Sequence, residues 1–262
     1  MKRHPPSQKI RQNARYGWLP DLPDDRDFLY GVRHPARISL PPVVDLRATC
    51  PPVVDQGQLG SCTANALAGA LGFLEDRDQI PFTALSRLFI YYNERAIEGT
   101  VRTDSGAMLR DGIKTLAARG VCAETQWPYQ ISKFSARPSA TCYKLAVKHR
   151  ITVYERLQTL GDMRACLADG FPFVYGFTAY ESLESTETAR TGRVPLPSPD
   201  ERAIGGHAVV GVGYDDAAAH IIFRNSWGTG WGMKGYGLMP YGYLTNRNLS
   251  DDFWTVRRGG GL

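Results

Sequence analysis

The chain has 262 residues, of which 43% are hydrophobic and 22% charged, a composition typical of a globular protein that can bury a sizeable core. No apolar run approaches the roughly 20 residues of a membrane span, and the first ten residues lack the apolar stretch of a secretory signal. The net charge of +5 is concentrated at the N-terminus, where residues 1–39 hold eight Lys or Arg and four Asp, so the rest of the chain offers no basic face for nucleic acid.

Residues 1–39 form a distinct arm that is rich in Pro, Arg and Asp and has no hydrophobic periodicity. Residues 16–30, YGWLPDLPDDRDFLY, mix aromatic side chains with Pro and Asp, which indicates either an extended segment that docks on another surface or a plain flexible arm. Five basic residues precede Tyr16 without an acidic one, and such a run can contact nucleic acid or anionic lipid. We expect a solvated tail instead, and therefore no nucleic-acid partner.

Helical periodicity dominates residues 40–145. Residues 61–77, SCTANALAGALGFLEDR, place small and apolar side chains on one stripe of a helix. The same spacing recurs in residues 85–96 and 107–120, and Gly120 is a typical stop at the end of the second of these segments. We therefore expect the first half of the domain to be mainly helical.

After about residue 145 the hydrophobic period changes to two. Apolar segments separated by turn residues indicate strands at residues 153–157, 171–177, 207–214, 220–227 and 235–241. A helical half followed by a mainly β half, residues 146–262, predicts an α+β protein. Residues 181–202 are polar and long for a structureless loop, which indicates either a functional lid or an ordinary surface excursion.

The five cysteines, at positions 50, 62, 122, 142 and 166, are odd in number and widely spaced. No C-x-x-C pair or Cys–His pattern with zinc spacing occurs, so we expect no metal site. Without an export signal, reduced thiols in the cytoplasm are the simplest expectation. We therefore predict a cytoplasmic protein and leave non-classical export open.

Cys62 follows a glycine-rich turn, QGQLGS, and opens a predicted helix for which Ser61 is a suitable N-cap. The N-terminus of a helix carries a partial positive charge and outward-pointing N–H groups, which favour a thiolate over a thiol. The thiolate is the attacking species in cysteine chemistry, and the backbone N–H of Cys62 could donate to a developing oxyanion. Cysteines are more often buried and inert, so position alone leaves a structural thiol as the alternative.

Residues 205–227 supply two further polar groups, because two apolar strands there flank the sequence YDDAAA. If the strands form a simple hairpin centred near Asp216, His207 faces Asn225 at one end of the ribbon. The Asn carbonyl can then accept a hydrogen bond from the imidazole and leave the other ring nitrogen for a thiol. Trp227 could cover that bond and exclude water from it. The alternative for the histidine alone is a half-buried structural role.

Gln56 precedes the cysteine by six residues, across a turn with glycines at positions 57 and 60. Such a turn can fold the amide back toward the sulfur, where Gln56 would supply a second oxyanion donor. A glutamine exposed on the surface is the alternative.

Three blocks of the sequence, QGQLGSC, GGHAVVGVGY and NSWGTGWGMKGYG, closely resemble the signature blocks of the papain-like cysteine peptidases. The order Gln, Cys, His, Asn and the long gap between Cys and His are also similar, and VDLR resembles the start of the family's mature domain. The resemblance covers roughly residues 43–254 and is to a compact bacterial member of the family.

The resemblance implies a papain-like α+β fold, in which a helical subdomain and an antiparallel β-barrel-like subdomain face each other across an active-site cleft. Cys62 on the helical wall would be the nucleophile, and His207 on the β wall would be the general base and acid. Asn225 would orient the imidazole, and Gln56 would donate to the oxyanion.

The resemblance also implies where a peptide binds. The stretch TDSGAM aligns with the glycine-rich strip that pairs with the substrate backbone, through Gly106 and Ser105. The specificity pocket should lie near Gly176 and Gly205, whose missing side chains indicate room for a bulky group. The remaining expected substrate-binding residues are Gly206 and Trp227.

The chain departs from the family pattern at its half-cystines. Leu59 stands where the family usually has a Cys three residues before the nucleophile, and Thr103 stands at that cysteine's partner. A second half-cystine falls on Asn93, which leaves Cys142 without its partner, so we expect the family's disulfides to be absent. Thr63 replaces the usual Trp after the nucleophile, so the packing behind the cleft must differ.

These features predict a cysteine endopeptidase that acts on peptides or proteins through a thioester acyl-enzyme and needs no metal or organic cofactor. We expect a monomer in which residues 1–39 are a short pro-segment that lies in or over the cleft, and residues 40–262 are the peptidase domain. The alternatives are an acyltransferase or amidase on the same triad, and a catalytically silent peptide-binding module whose cleft holds its own arm.

Overall fold

The structure, a computed structural model, describes residues 16–34 and 39–259. The helices are α1 (Tyr30–Arg33), α2 (Cys62–Arg77), α3 (Arg87–Glu98), α4 (Leu109–Ala118), α5 (Ala140–Ala146), α6 (Leu160–Ala168), α7 (Thr186–Thr191) and α8 (Tyr241–Leu244). The strands are β1 (Trp18–Leu19), β2 (Val43–Asp45), β3 (Ala107–Met108), β4 (Val153–Arg156), β5 (Phe173–Tyr180), β6 (Ala203–Asp215), β7 (His220–Arg224), β8 (Tyr236–Pro240) and β9 (Ser250–Arg257). Each described helix is too short or too polar to cross a membrane.

Helices α2, α3 and α4 lie where the helical periodicity predicts them. α2 differs from the expected amphipathic stripe, because residues 62–75 are buried on every side of the helix. The small residues of its sequence explain this burial, since they let α3, α4 and β6 approach closely. Gly69 lies against Val210 of β6, and Gly112 of α4 lies against Leu67.

The longer strands form one antiparallel sheet with the order β4-β9-β5-β6-β7-β8, and β2 adds to it by pairing with β6. β6 has 13 residues and carries His207, which lies opposite Phe177 of β5. β4 and β8 form the two ends of this order in the described part of the chain. The subdomain that was expected to be barrel-like is therefore an open sheet and not a closed barrel.

The period of two in the second half of the sequence conceals helix α6. The Thr159 hydroxyl accepts from the Asp162 N–H at 3.0 Å, and the Asp162 carboxylate accepts from the Thr159 N–H at 3.0 Å. This arrangement is a capping box, which the sequence shows as a Thr followed three residues later by an acidic residue. The capping signal, rather than the periodicity, predicts this helix.

Residues 181–202 contain more regular structure than a loop. A 3-10 turn at Glu181–Glu184 is followed by α7, whose N-cap Ser185 accepts from the Thr188 N–H at 3.1 Å. The segment then returns to the sheet, where the Val194 N–H donates to a carbonyl of β8 at 3.0 Å. It is therefore an ordered excursion beside β8, and its role as a lid stays a prediction.

The described part of the arm lies against the rest of the chain. β1 runs parallel to β3, and the Ala107 N–H donates to the Gly17 carbonyl at 2.8 Å. Further along the arm, the Asp27 carboxylate accepts from Nε of Arg110 in α4 at 3.0 Å. The basic run that precedes Tyr16 lies outside the described residues, as do residues 35–38.

Candidate active site

Cys62 is the first residue of α2 and is buried. Ser61 occupies the N-cap position, as the sequence predicts, but its side chain does not cap the helix. Its hydroxyl instead lies 2.6 Å from the Tyr129 hydroxyl and accepts from Nδ2 of Asn65 at 3.0 Å. The first-turn N–H groups are therefore left to other acceptors, at the positive end of the helix dipole.

His207 and Asn225 are joined by a buried hydrogen bond. Nε2 of His207 lies 2.8 Å from Oδ1 of Asn225, and both residues are almost fully buried. The Ser226 N–H donates to the same oxygen at 2.8 Å. Because Oδ1 can only accept, Nε2 carries the proton in this bond, and the imidazole is held in one orientation.

The hairpin that carries this pair differs from the expected one. The turn between β6 and β7 pairs Asp215 with His220, and a bulge later in the ladder shifts the register again. The ladder ends at Arg224, so Asn225 follows the last paired residue and does not face His207 directly. The expected register was wrong because a simple hairpin includes neither the longer turn nor the bulge. The hydrogen bond forms across the end of the hairpin.

Aromatic rings enclose the imidazole of His207. The ring centroid of Trp227 lies 4.7 Å from the imidazole centroid, and that of Phe177 lies 5.6 Å from it. Tyr16 of the arm contacts the imidazole edge-on at 5.9 Å and lies at the same distance from Trp227. These rings shield the bond between the imidazole and Asn225 from water, which strengthens it.

The loop before Cys62 folds back on itself, as its glycines predict. Gly57 has a φ of +60°, and Nε2 of Gln56 donates to the Leu59 carbonyl at 2.9 Å. Ser226 holds the other end of the amide, because its hydroxyl donates to Oε1 of Gln56 at 2.6 Å. The glutamine is buried, in contrast to the alternative of a surface position.

Ser226 connects the two segments that carry the predicted polar groups. The Gln56 N–H donates to the Ser226 carbonyl at 2.9 Å, and the Ser226 N–H donates to Asn225. The loop that leads to Cys62 is thereby tied to the residue that follows the asparagine. Sequence reasoning missed this serine, although it stands between Asn225 and Trp227 in the NSWG block.

The glycine-rich strip lies against the arm at Gly17. Gly106 has a φ of +77°, and a Cβ added to it would lie 2.7 Å from the carbonyl carbon of Gly17. A Cβ added to Gly17 would lie 2.5 Å from the carbonyl carbon of Gly60, two residues before Cys62. Because real Cβ atoms do not approach backbone atoms this closely, Gly17 passes through a gap that admits only glycine.

The expected specificity pocket is filled by the arm. A Cβ added to Gly206 would lie 2.9 Å from Cε3 of Trp18, and a Cβ added to Gly176 would overlap the same indole ring. A Cβ added to Gly205 would lie 2.6 Å from Cβ of Tyr16. These glycines therefore leave room for bulky side chains, and the side chains that take the room belong to the arm.

Hydrogen bonds with neighbouring residues of the same loop hold the glycine-rich strip in place. The Ser105 hydroxyl lies 2.9 Å from both Oγ1 of Thr100 and the Gly106 carbonyl, so it is directed into the loop. The Met108 N–H donates to the Glu98 carboxylate at 2.8 Å. Burial raises the pKa of Glu98 to about 7, so part of this carboxyl is protonated at neutral pH.

A buried carboxyl lies behind the first turn of α2. The hydroxyl of Thr63, the residue after Cys62, donates to Oε2 of Glu94 at 2.9 Å. Burial raises the pKa of Glu94 well above its usual range, which favours the neutral form of this carboxyl. This pair takes the space behind the cleft where the resemblance leads one to expect a tryptophan.

The other cysteines, at positions 50, 122, 142 and 166, are free thiols. Burial raises the pKa of Cys122 to about 12, and it also raises the pKa of Cys50 and Cys166. These thiols stay protonated at neutral pH and are poor nucleophiles. Among the described residues, no group of three or more His, Cys, Asp or Glu side chains is arranged to hold a metal ion.

Comparisons with known proteins show which proteins this chain is similar to. The family model of the papain family cysteine proteases matches residues 40–252. Xylellain, a cysteine protease from Xylella fastidiosa, is similar with a TM-score of 0.89 and 45% identity, over 96% of this chain and 99% of the xylellain chain. An uncharacterised peptidase C1-like protein of Acanthamoeba polyphaga mimivirus is 39% identical over 94% of this chain and 87% of its own length. A procathepsin B from Trypanosoma congolense shares the fold, with a TM-score of 0.75 at 19% identity, over 95% of this chain and 88% of its own.

Proposed function

The chain belongs to the papain family of cysteine proteases, and from this premise we propose that it hydrolyses peptide bonds through Cys62, His207 and Asn225. Gln56 supplies an oxyanion donor in this proposal. The observation that carries it is the buried hydrogen bond of 2.8 Å between Nε2 of His207 and Oδ1 of Asn225. Asn225 engages one ring nitrogen in this bond, and in our proposal the other nitrogen exchanges the proton with the thiol.

Two neighbouring residues of the arm support a common site for the thiol and the imidazole. The ring of Tyr16 lies 5.9 Å from the imidazole of His207. The next residue, Gly17, lies against Gly60, two residues before Cys62. Consecutive Cα atoms are about 3.8 Å apart. Because two consecutive residues of the arm contact the imidazole and the turn before the thiol, that turn lies close to the imidazole.

In the proposed reaction, the Cys62 thiolate forms a bond to the substrate carbonyl carbon, and the carbonyl oxygen becomes an oxyanion. The Cys62 N–H and the Gln56 amide donate hydrogen bonds to this oxyanion. The carbon–nitrogen bond then breaks, the His207 imidazolium gives its proton to the leaving amine, and a thioester remains. His207 next takes a proton from a water molecule whose oxygen attacks the thioester, which releases the acid and restores the thiol.

We also propose that residues 1–39 are a pro-segment that restrains the peptidase. The described residues 16–18 support this proposal, because they lie against the glycines where a substrate is expected. The Tyr16 hydroxyl donates a hydrogen bond to the Glu184 carboxylate. Residues 181–202 therefore also hold the arm in place. A substrate can enter only after these contacts are broken.

Replacement of Cys62 by Ala tests the nucleophile. We expect the hydrolysis of a fluorogenic dipeptide amide to fall by about 10³-fold or more, while the circular dichroism spectrum and Tm stay unchanged. Cys50→Ala is the matched control, because this thiol lies outside the site and is held protonated. If the Cys62→Ala variant cleaved as fast as the wild type, the assignment would be wrong.

Two further measurements separate peptide hydrolysis from the alternatives. Hydrolysis of the amide, blocked by an epoxide that alkylates the thiolate, favours a peptidase over an acyltransferase. A Cys62 that fails to react with iodoacetamide after the arm is displaced would indicate a silent peptide-binding module.

A further inference from the structure

A bridge of hydrogen bonds joins the turn before the thiol to the glycine-rich strip. At the turn, the Gly60 N–H donates to both oxygens of the Asp104 carboxylate, at 3.1 and 3.2 Å. At the strip, the Gly106 N–H donates to the Tyr91 hydroxyl at 3.1 Å, and that hydroxyl donates to Oδ1 of Asp104. Two side chains therefore connect the two backbone segments that contact Gly17 of the arm.

Helix α3 holds the strip's end of this bridge. Tyr91 is fully buried, and the guanidinium carbon of Arg95 lies 3.9 Å from the centroid of its ring. Nη1 of Arg95 donates to the carbonyls of Val101 and Thr103, at 3.0 and 2.9 Å. The loop is thus tied to the helix up to the residue before Asp104. The carboxylate extends from a braced loop, and the turn is the part that it holds.

The turn depends on this acceptor. Gly60 is buried, so loss of the carboxylate would leave its N–H without an acceptor unless the turn moved. Hydrogen bonds to a charged acceptor are roughly twice as strong as those to a neutral one. Only Ser61 separates Gly60 from Cys62, whose sulfur and N–H act in the proposed reaction. A shift of the turn would therefore displace the proposed nucleophile and an oxyanion donor together.

The bridge joins two segments that lack a covalent link in this chain. Leu59 and Thr103 stand where the family resemblance leads one to expect two half-cystines that pair with each other. Gly60 and Asp104 follow these positions by one residue each, so the carboxylate connects the same turn to the same loop. A hydrogen bond to a short side chain can hold this connection in a chain without the disulfide.

We propose that Asp104 is a positioning residue that fixes the turn before Cys62 against the glycine-rich strip. The sulfur and the N–H of Cys62 then meet the substrate carbonyl in the reacting geometry, where a displacement of about 1 Å can cost about 10²-fold in rate. This inference rests on the proposed function, because the geometry of the turn affects a rate only if Cys62 attacks a peptide.

The value of kcat per active site tests this role in the full-length chain. The fluorogenic dipeptide amide that the wild type cleaves fastest is used at saturating concentration, and an epoxide that alkylates the thiolate counts the competent sites. A docked arm competes with the substrate, so it changes KM and not kcat at saturation. A variant that merely unfolds a fraction of the protein lowers the number of sites and leaves kcat per site unchanged.

Three replacements of Asp104 separate its position from its charge. Asp104→Ala removes the acceptor, and we expect kcat per site to fall by about tenfold or more. Asp104→Asn keeps an oxygen at the place of Oδ1, which accepts from both Gly60 and Tyr91, so kcat should stay within about threefold of the wild type. Asp104→Glu keeps the charge but moves the carboxylate by one methylene, so its kcat should lie below that of Asp104→Asn.

Thr103→Ala is the matched control in the same loop. The Thr103 hydroxyl donates to the Thr100 carbonyl at 3.2 Å, so its bond stays within the loop and does not reach the turn. Its removal should leave kcat per site at the wild-type value. A loss in Thr103→Ala as large as that in Asp104→Ala would show a general disturbance of the loop and overturn the inference.

The remaining outcomes also decide the question. An Asp104→Ala variant within twofold of an active wild type overturns the inference and leaves the peptidase assignment standing. If Asp104→Ala does not fold, the order of the other two variants decides, and a higher kcat for Asp104→Glu than for Asp104→Asn overturns the positioning role. If neither the wild type nor a Gly17→Ala chain cleaves any dipeptide amide, the proposed function fails and this inference fails with it.

Discussion

At the residue scale, the site depends on one amide oxygen and the residue that follows it. Oδ1 of Asn225 accepts from both His207 and the Ser226 N–H, and the Ser226 hydroxyl holds Gln56. The orientation of the imidazole and the position of the glutamine amide are thus set by two consecutive residues. A small displacement of this dipeptide would disturb the proposed base and the proposed oxyanion donor together.

Asn225→Ala should lower kcat for amide hydrolysis by about 10²-fold and change KM little. The reason is that a buried Nε2–H of His207 loses its acceptor, so the ring is no longer held in one orientation. Asn225→Asp restores an acceptor and should recover part of the rate. The negative charge of this Asp should also move the pH–rate profile to higher pH, because a neighbouring carboxylate raises the pKa of an imidazole. An alanine variant within twofold of the wild type would contradict this role.

At the scale of elements, periodicity predicted α2, α3 and α4, and it failed where a local signal opposed it. α6 lies in the half of the chain with a period of two, and only the Thr159 capping box reveals it. The hairpin register was wrong because bulges leave no trace in hydrophobic alternation. The pairing of Trp18 with Ala107 joins residues that are far apart in sequence, so no local pattern could specify it.

Separation in sequence also explains which parts of the candidate site could be predicted and which could not. Gln56, Cys62, His207 and Asn225 were predicted from short blocks of sequence, and the structure joins His207 and Asn225 by a hydrogen bond. Asp104 was missed, since its contact with the turn before Cys62 joins residues that are 44 positions apart in the sequence. Contacts between remote segments require the folded chain.

Gly17→Ala should activate the full-length chain. A Cβ at this position would lie 2.5 Å from the carbonyl carbon of Gly60, which is backbone and cannot move aside as a side chain can. Overpacking of this kind costs about 1–3 kcal/mol, so the arm should detach and the rate of amide hydrolysis should rise by about tenfold or more.

Gly31→Ala is the control for this change within the same arm. A Cβ there would meet the Asp162 side chain, whose nearest atom, Oδ1, would lie at 3.2 Å, and this side chain can shift. The control should keep the wild-type rate. Equal rates for the wild type, Gly17→Ala and Gly31→Ala would argue against restraint by the arm, provided that the wild type is active.

At the scale of the whole molecule, burial raises the pKa of several carboxyl groups. They are Asp21, Glu94, Glu98, Asp111 and Asp252. The pKa is about 7 for Glu98 and about 8 for Asp252. Unfolding returns these groups to a pKa of about 4, so the native state holds protons that the unfolded state releases.

The free energy of unfolding should therefore decrease as the pH rises from 5 to 8. The stabilisation from a group with a raised pKa is fully present below about pH 4 and is lost as the pH rises through its native pKa. Each group contributes at most about 1.4 kcal/mol per pH unit. The lowered pKa values of Asp24 and Asp45 act below this window. Urea denaturation at several pH values measures the slope.

Glu98→Gln isolates one of these contributions. The amide oxygen can still accept from the Met108 N–H, but the side chain no longer titrates. The slope of unfolding free energy against pH should become flatter between pH 5 and 7. A wild-type protein that is more stable at pH 8 than at pH 5 would show that other groups dominate.

The close passage of Gly17 beside Gly60 joins two parts of one polypeptide, and this has a consequence for how the proposed restraint by the arm is removed. A tethered segment meets its docking surface at an effective concentration of about millimolar, whatever the amount of protein in solution. The same sequence added as a separate peptide would have to reach that level to compete. One backbone cut between residues 34 and 39 would convert the arm into an ordinary ligand, which dilution alone can wash away.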